Sequence, residues 1–563
     1  MRTSSRTPGA VSLGLVFILG TLVFFGVVFG LYFTTDARHI LRRDIAGNEK
    51  VMGLHFSGAE RTMMRTDLED NRRNYQEVRK VPLPNNVPPA LSFSPVVPGQ
   101  AYEEARRPFV WSEPDKVEIP ADREDLAFYP VTQLAWLIKN RRITSTELAE
   151  LYLSRLKKYG PKLLCVVTLT EDLARAQARR ADDEIAAGKY RGPLHGIPWG
   201  AKDLLATKGI TTTWGSPIFK DQVFEEDATV VKRLDEAGAV LVAKLSMGEF
   251  AMGDVWFGGR TRNPWNYDQG SSGSSAGSAS ATAAGLVGFA IGTETLGSIV
   301  SPSTRCGVTG LRPTFGRVSR HGAMALSWSM DKIGPLCRTV EDCALVLNAI
   351  HGPDGKDLTV ADRPFNWDPS LPLQTIRVGY VKKAFDADYR TKKFDEAALE
   401  ALRKAGVELV PFELPDIPTR PLGTILDAEA AAAFDELTRS GKDDLMVRQD
   451  RGAWPNSFRQ SRFIPAVEYI QANRVRTLLM AEMARRMKEI DVYVAPSFGG
   501  TNLLLTNLTG HPAVVVPDGF DDKGSPVSIS FIGNLYEEAK VLRVAKAFQD
   551  ATDFHLRRPK LQE

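Results

Sequence analysis

The chain has 563 residues, 43% of them hydrophobic and 25% charged, the proportions of a folded globular protein rather than a disordered one. Its 71 basic and 68 acidic side chains leave a net charge of +3, with no run of Lys and Arg to form a stripe for phosphates, which argues against nucleic acid as a partner. Four scattered cysteines, Cys165, Cys306, Cys337 and Cys343, with no CxxC pair, argue against a disulfide framework and against a thiolate zinc site.

After a short flank (residues 1–10), Val11 to Phe33 runs without a charge and has the length a helix needs to cross a bilayer, which predicts a single uncleaved anchor. Arg2 and Arg6 on one side nearly balance Arg38, Arg42 and Arg43 on the other. Long domains translocate largely regardless of such charges, so the expected localisation is single-pass membrane with the large domain outside the cytoplasm. Residues 34–125 read as an arm. Within it, Glu60 to Val78 places Met64, Leu68, Tyr75 and Val78 at helical spacing, and Pro82, Pro84, Pro88, Pro89, Pro95 and Pro98 then impose an extended strap.

From about Leu126 amphipathic helices alternate with short apolar strands, the pattern of an α/β domain. Ser145 to Tyr159 reads as helix and Cys165 to Leu169 as strand. Ala228 to Ala237 reads as helix stopped by Gly238, and Val240 to Ala243 as buried strand. A long helical pattern, Ala466 to Ile490, carries Val467, Ile470, Val475, Leu478, Leu479, Met483 and Met487, and is followed by strand Val492 to Ala495.

The most unusual segment is Gln269 to Thr314. Its Gly270 to Ser278 run has a linker's composition, yet it sits inside the α/β pattern and is followed at once by helix-forming Ala279 to Ala284. A Gly/Ser loop feeding a helix presents N–H groups and hydroxyls to something negative. Phosphate is a poor candidate, because GxxxxGK[ST] spacing is absent; an oxyanion formed during acyl transfer is a better one. Gly273 to Gly277 also matches G-x-S-x-G, which would make Ser275 the nucleophile, but an elbow of that kind follows a buried strand and Arg262 to Asp268 is polar and turn-like.

Three ordered motifs carry a resemblance. Gly196-Ile197-Pro198-Trp199-Gly200-Ala201-Lys202-Asp203, Ser274-Ser275-Ala276-Gly277-Ser278 and Gly292-Thr293-Glu294-Thr295-Leu296-Gly297-Ser298 resemble the amidase signature family, as do Cys306 to Thr314 and Asn507 to Pro512. The resemblance covers residues 126–563. It implies a single three-layer α/β/α domain with a mixed twisted sheet, preceded here by the transmembrane helix. It further implies Ser298 as nucleophile, Ser274 as relay held by a cis peptide to Ser275, and Lys202 as base. Backbone N–H groups of Thr295, Leu296, Gly297 and Ser298 would form the oxyanion hole. A lysine base must be neutral, which requires burial to bring its pKa from about 10.4 towards about 7 to 8; apolar Ile197, Pro198, Trp199 and Ala201 suit that burial.

The sequence departs from the family's commonest pattern at Glu294, Thr295 and Leu296, where many members have Asp, Ile and Gly, and at Val300, where many have Arg. Backbone donors survive such changes, so the departure bears on substrate range. His195 and His321 flank the motifs but read as structural. Cys337 and Cys343 read as packing, and Gly352 to Met487 as the region shaping a substrate pocket. The expectation is therefore an amidase acting on linear carboxamides, with no metal or organic cofactor, a small-molecule amide as its partner and the bilayer contacting residues 11–33. An amidotransferase A-type subunit releasing ammonia from glutamine is the alternative, disfavoured by the anchor, and an inactive amide-binding scaffold is another.

Overall fold

The computed structural model describes residues 39–81 and 93–562. The expected anchor, Val11 to Phe33, lies outside them. Among the described residues no helix is long and apolar enough to cross a membrane. The expected single-pass membrane localisation, and the bilayer as a partner, are therefore withdrawn: the one apolar run that prompted them is not among the described residues, and no described helix replaces it.

The chain divides into two units, up to Gln76 and from Glu77 onward. In the first, the loop between helices Arg42–Met52 and Gly58–Arg79 is held by Glu49, which accepts from the Phe56 N–H (3.3 Å) and pairs with Arg61 (2.7 Å).

The second unit is built on an eleven-stranded sheet. Its strands, numbered within the sheet, are β1 (Val166–Leu169), β2 (Pro198–Lys202), β3 (Val240–Leu245), β4 (Phe289–Glu294), β5 (Thr309–Arg312), β6 (Lys332–Cys337), β7 (Val378–Val381), β8 (Leu409–Phe412), β9 (Val492–Pro496), β10 (Ala513–Phe520) and β11 (Pro526–Gly533). Their spatial order is β1-β3-β2-β4-β6-β5-β10-β11-β9-β7-β8. The sheet is mixed, as expected: β2 runs parallel to both β3 and β4, and β7 to both β8 and β9, whereas β4, β6, β5, β10 and β11 pair antiparallel. Strands β2, β3, β4 and β6 are buried at every residue, so none shows the polar/apolar alternation of a half-exposed strand.

Local signals place the elements well. Helix Ser145–Leu163 begins on a capping box of Thr144 and Glu147. Helix Thr229–Glu236 ends before Gly238, whose φ of +81° turns the chain into β3; a Cβ there would lie 2.3 Å from His195 Cδ2. Helix Ala466–Arg486 buries Val475, Leu479 and Met483, but Val467 and Ile470 are exposed, because in its first turns the face that continues to Val475 and Leu479 is occupied by buried Glu468 and Ala472. Residues 93–122 contain no helix or strand and run as a strap, with the Val110 N–H donating to Trp367 O (3.0 Å) and the Ser112 N–H to Glu341 (2.6 Å). Placing a side chain at Gly238 would break the turn into β3. Gly238→Val is expected to cost about 2 kcal/mol or more, read as a lower urea midpoint at unchanged m-value.

Candidate active site

Strands β2 and β4 lie side by side, so the last residue of β2 comes against the end of β4. That residue is Lys202, with no exposed surface at all. Its Nζ lies 2.9 Å from Ser274 Oγ, 3.1 Å from Ser275 Oγ, 2.8 Å from Thr293 Oγ1 and 3.4 Å from Thr293 O. Among the described residues no carboxylate touches it. Burial lowers its pKa to about 7, against the weaker pull of Asp331 and Glu294.

Most of the Gly/Ser run is interior, which a linker would not be: Ser271, Ser274, Ser275 and Ser278 have no exposed surface, while Gly270, Ser272 and Gly273 are half-buried. Gly273 is required by close approach, since a Cβ there would meet Gly253 O at 1.8 Å. The cis peptide bond falls at Gly273–Ser274, one bond before the expected Ser274–Ser275. Ser275 instead serves as the first residue before helix Ala276–Ala283, and its N–H donates to Ser298 O (3.2 Å), docking the turn that carries Ser298 onto the run.

Ser275 is a poor nucleophile candidate for a second reason. Its Oγ accepts from the Thr293 N–H (3.1 Å) and donates to Thr293 O (3.1 Å), so its one proton is committed. The chain before it, Asn266–Gly270, is a short polar strand paired with Arg262–Asn263 rather than a buried one. If Lys202 is neutral, its lone pair therefore needs an O–H from Ser274 or Thr293, the two hydroxyls left free to donate. Among the described residues no hydrogen bond joins the Ser274 and Ser298 hydroxyls.

Between β4 and helix Val300–Cys306 the chain makes a tight turn, with Gly297 at φ +84° and Leu296 exposed at the surface. Among the described residues the N–H groups of Thr295, Leu296, Gly297 and Ser298 find no acceptor. The next two, Ile299 and Val300, donate to Glu294 (2.8 and 3.0 Å). Glu294 is itself wholly buried, paired with Arg312 (2.8 Å) and reached by Asn507 (2.8 Å). Burial alone would raise its pKa; Arg312 and the Val300 N–H overcome that and hold it at about 2. One carboxylate thus takes two of six successive N–H groups and leaves four unclaimed. Arg312 is anchored in turn to Thr506 and the His511 carbonyl (both 2.9 Å), which gives the Asn507 to Pro512 motif its place.

The turn is held on its other side by Asp331, which accepts from Thr295 Oγ1 (2.6 Å) and from the N–H groups of Leu326 and Ser327 (2.8 and 3.0 Å). Beside Lys202, Asp203 pairs with the fully buried Lys244 (3.1 Å) and accepts from the Thr213 N–H (2.9 Å). Neither histidine flanking the motifs joins this cluster: buried His195 binds the Arg191 N–H and Glu184, and His321 binds Glu226 and Lys356. All four cysteines are buried and free. Among the described residues no group of His, Cys, Asp and Glu could hold a metal ion.

The Amidase family model matches residues 147–542, a span that takes in every residue of this cluster. The chain belongs to the amidase family. At that level its chemistry is cleavage of amide C–N bonds. Among its relatives is the A subunit of the glutamyl-tRNA(Gln) amidotransferase of Roseiflexus castenholzii, 36% identical over 480 residues, 77% of this chain and 98% of that one. Among solved structures, the peptide amidase of Stenotrophomonas maltophilia superposes with a TM-score of 0.68 at 31% identity, covering 78% of this chain and 100% of that one. An amidase family protein of Bacillus anthracis gives 0.68 at 26% identity, covering 78% and 94%.

Lys202, Ser274, Ser298 and the 295–297 turn are legible in the sequence of this family member, where Glu294 shows only as a departure. Thr293 as a contact of Lys202 is not legible there, nor is Asp331; an isolated Asp after Ser329 and Met330 offers no pattern. Arg312→Met would leave Glu294 buried and uncompensated. We expect a loss of about 3–5 kcal/mol in urea unfolding, and slower turnover as the 295–298 turn loosens.

Proposed function

We propose that this chain hydrolyses linear carboxamides through an acyl-enzyme on Ser298, with Ser274 as relay and Lys202 as base. The observation that carries this reading is the buried Lys202, without a counter-charge and with a pKa of about 7, against the Ser274 hydroxyl. As Ser298 Oγ bonds to the amide carbon, its proton passes to Ser274, whose own proton passes to Lys202 Nζ. The carbonyl oxygen gains charge and is met by the free N–H groups of Thr295, Leu296 and Gly297. The C–N bond then breaks, the proton returns through Ser274 to the leaving amine, and water attacks the ester with the same base. The open Ser274 to Ser298 contact suits a site awaiting substrate, since such bonds tighten when the complex forms.

The alternative, release of ammonia from glutamine as an amidotransferase A-type subunit, is supported by the amidotransferases among the relatives. The anchor no longer weighs against it. It shares the same triad and needs partner subunits, so a glutaminase assay of the isolated chain separates the two.

A fluorophosphonate probe is expected to add once to the wild type, to fail on Ser298→Ala and to react slowly with Lys202→Ala. An unlabelled, folded wild type would instead favour an inactive amide-binding scaffold. Because the base works unprotonated, kcat/KM should rise with pH through about 7 and level above it, a limb that Lys202→Met abolishes. The same lysine destabilises the fold. Its folded pKa lies below the unfolded 10.5, so the cost is complete below pH about 7 and fades as pH rises to 10.5. Lys202→Met is therefore expected to raise stability near neutral pH by a few kcal/mol, at about 1.36 kcal/mol for each pH unit between the folded and unfolded values, while losing activity.

A further inference from the structure

A cavity of about 830 Å³ is lined by Phe93 of the strap, Trp328, Ala431, Ala432, Ile464 and Tyr469, together with charged side chains. Its volume falls within the roughly 300–1,000 Å³ of small-molecule sites. One turn joins it to the chemistry. Trp328 and Ser329 form part of its wall, and the preceding Leu326 and Ser327 N–H groups are tied through Asp331 to Thr295, the first residue of the unclaimed N–H turn.

The charges around this cavity are already spoken for. Glu429 accepts from Ser327 Oγ (2.6 Å), the Ser329 N–H (3.0 Å), Ser329 Oγ (2.7 Å) and the Tyr469 hydroxyl (2.9 Å). Arg320 is paired with Asp357 (2.9 Å) and Arg462 with Asp435. Burying a charged ligand group costs several kcal/mol unless a counter-charge meets it. A zwitterion such as free glutamine would need both an anion and a cation receptor, and here each candidate would first have to give up a partner. An uncharged group needs neither, and the aromatic and alanine walls suit a ring or branched alkyl group.

Resting on the amide-hydrolase reading above, we propose that this cavity takes the bulky, uncharged apolar body of the amide substrate, and that it selects against charged amides such as glutamine. Ala431 and Ala432 leave the room on one wall, and Trp328 and Tyr469 supply flat surfaces on which an aromatic ring can stack.

The test uses the full chain and three amides: acetamide, glutamine and 4-phenylbutyramide, with isomeric N-(2-phenylethyl)acetamide placing the ring on the amine side instead. The wild type should favour one phenyl amide over acetamide by about tenfold or more, and glutamine least, since apolar pocket contacts discriminate on that scale. Which of the two phenyl amides wins names the half of the substrate that enters. Ala432→Trp and, separately, Ala428→Phe, at another alanine of the cavity wall, should collapse the phenyl-to-acetamide ratio of kcat/KM. A ratio unchanged in both variants, with folding confirmed by thermal melts, would overturn the proposal, as would a preference for glutamine. Calorimetric binding of 4-phenylbutyramide and N-(2-phenylethyl)acetamide to Ser298→Ala separates this inference from the chemistry. Binding that Ala432→Trp abolishes, in a protein that turns over no amide, keeps the cavity and sinks the hydrolase; no binding of either amide overturns the cavity.

Discussion

An amine with no counter-charge is buried at the centre of this protein, and much of the surrounding structure serves to keep it there. Lys202 ends β2 inside the sheet, where burial depresses its pKa and hydroxyls rather than carboxylates surround it. Such a group is costly to bury, and it persists only where neighbouring elements over-determine its position. Here those elements are the parallel β2 and β4, the Gly273 close approach that brings Ser274 and Ser275 inward, and the Thr293 backbone that fixes Ser275.

Neighbouring cations show what the arrangement avoids. Lys244 meets Asp203, and Arg312 meets Glu294, each pair fully buried. These pairs act as struts: one fixes the loop after Lys202, the other the turn that carries Ser298. Lys332, across the sheet from Glu294, is also depressed by burial, but its Nζ donates to the Met330 carbonyl and, among the described residues, to no hydroxyl. Of these cations, Lys202 is the one whose amine contacts serine hydroxyls, those of Ser274 and Ser275.

The two carboxylates flanking that turn divide the labour. Glu294 draws in the Ile299 and Val300 N–H groups and leaves those of residues 295–298 free, while Asp331 links Thr295 to the Leu326 to Ser329 wall. A Glu with its longer reach in place of Asp, and Leu296 in place of Gly, leave the backbone donors intact and change what surrounds them. The cavity proposed for the substrate body is walled by distant stretches, among them Phe93, Trp328 and Tyr469, rather than by the motifs.

The sequence by itself determined the α/β class and the helix boundaries marked by Thr144 and Gly238, and it singled out Lys202, Ser274 and Ser298 as candidates, because caps, periodicity and ordered motifs are local properties of the chain. Tertiary structure alone decided the cage around Lys202, since Thr293 and Ser275 reach it through a parallel pairing between strands almost ninety residues apart in sequence, about which no local pattern speaks. It also decided that the Gly/Ser run is core rather than linker. Composition is the same in both cases; only burial by neighbouring elements distinguishes them. Likewise Val467 and Ile470 are apolar yet face outward, because buried Glu468 and Ala472 hold the core-facing stripe in those turns, which apolar identity alone does not show.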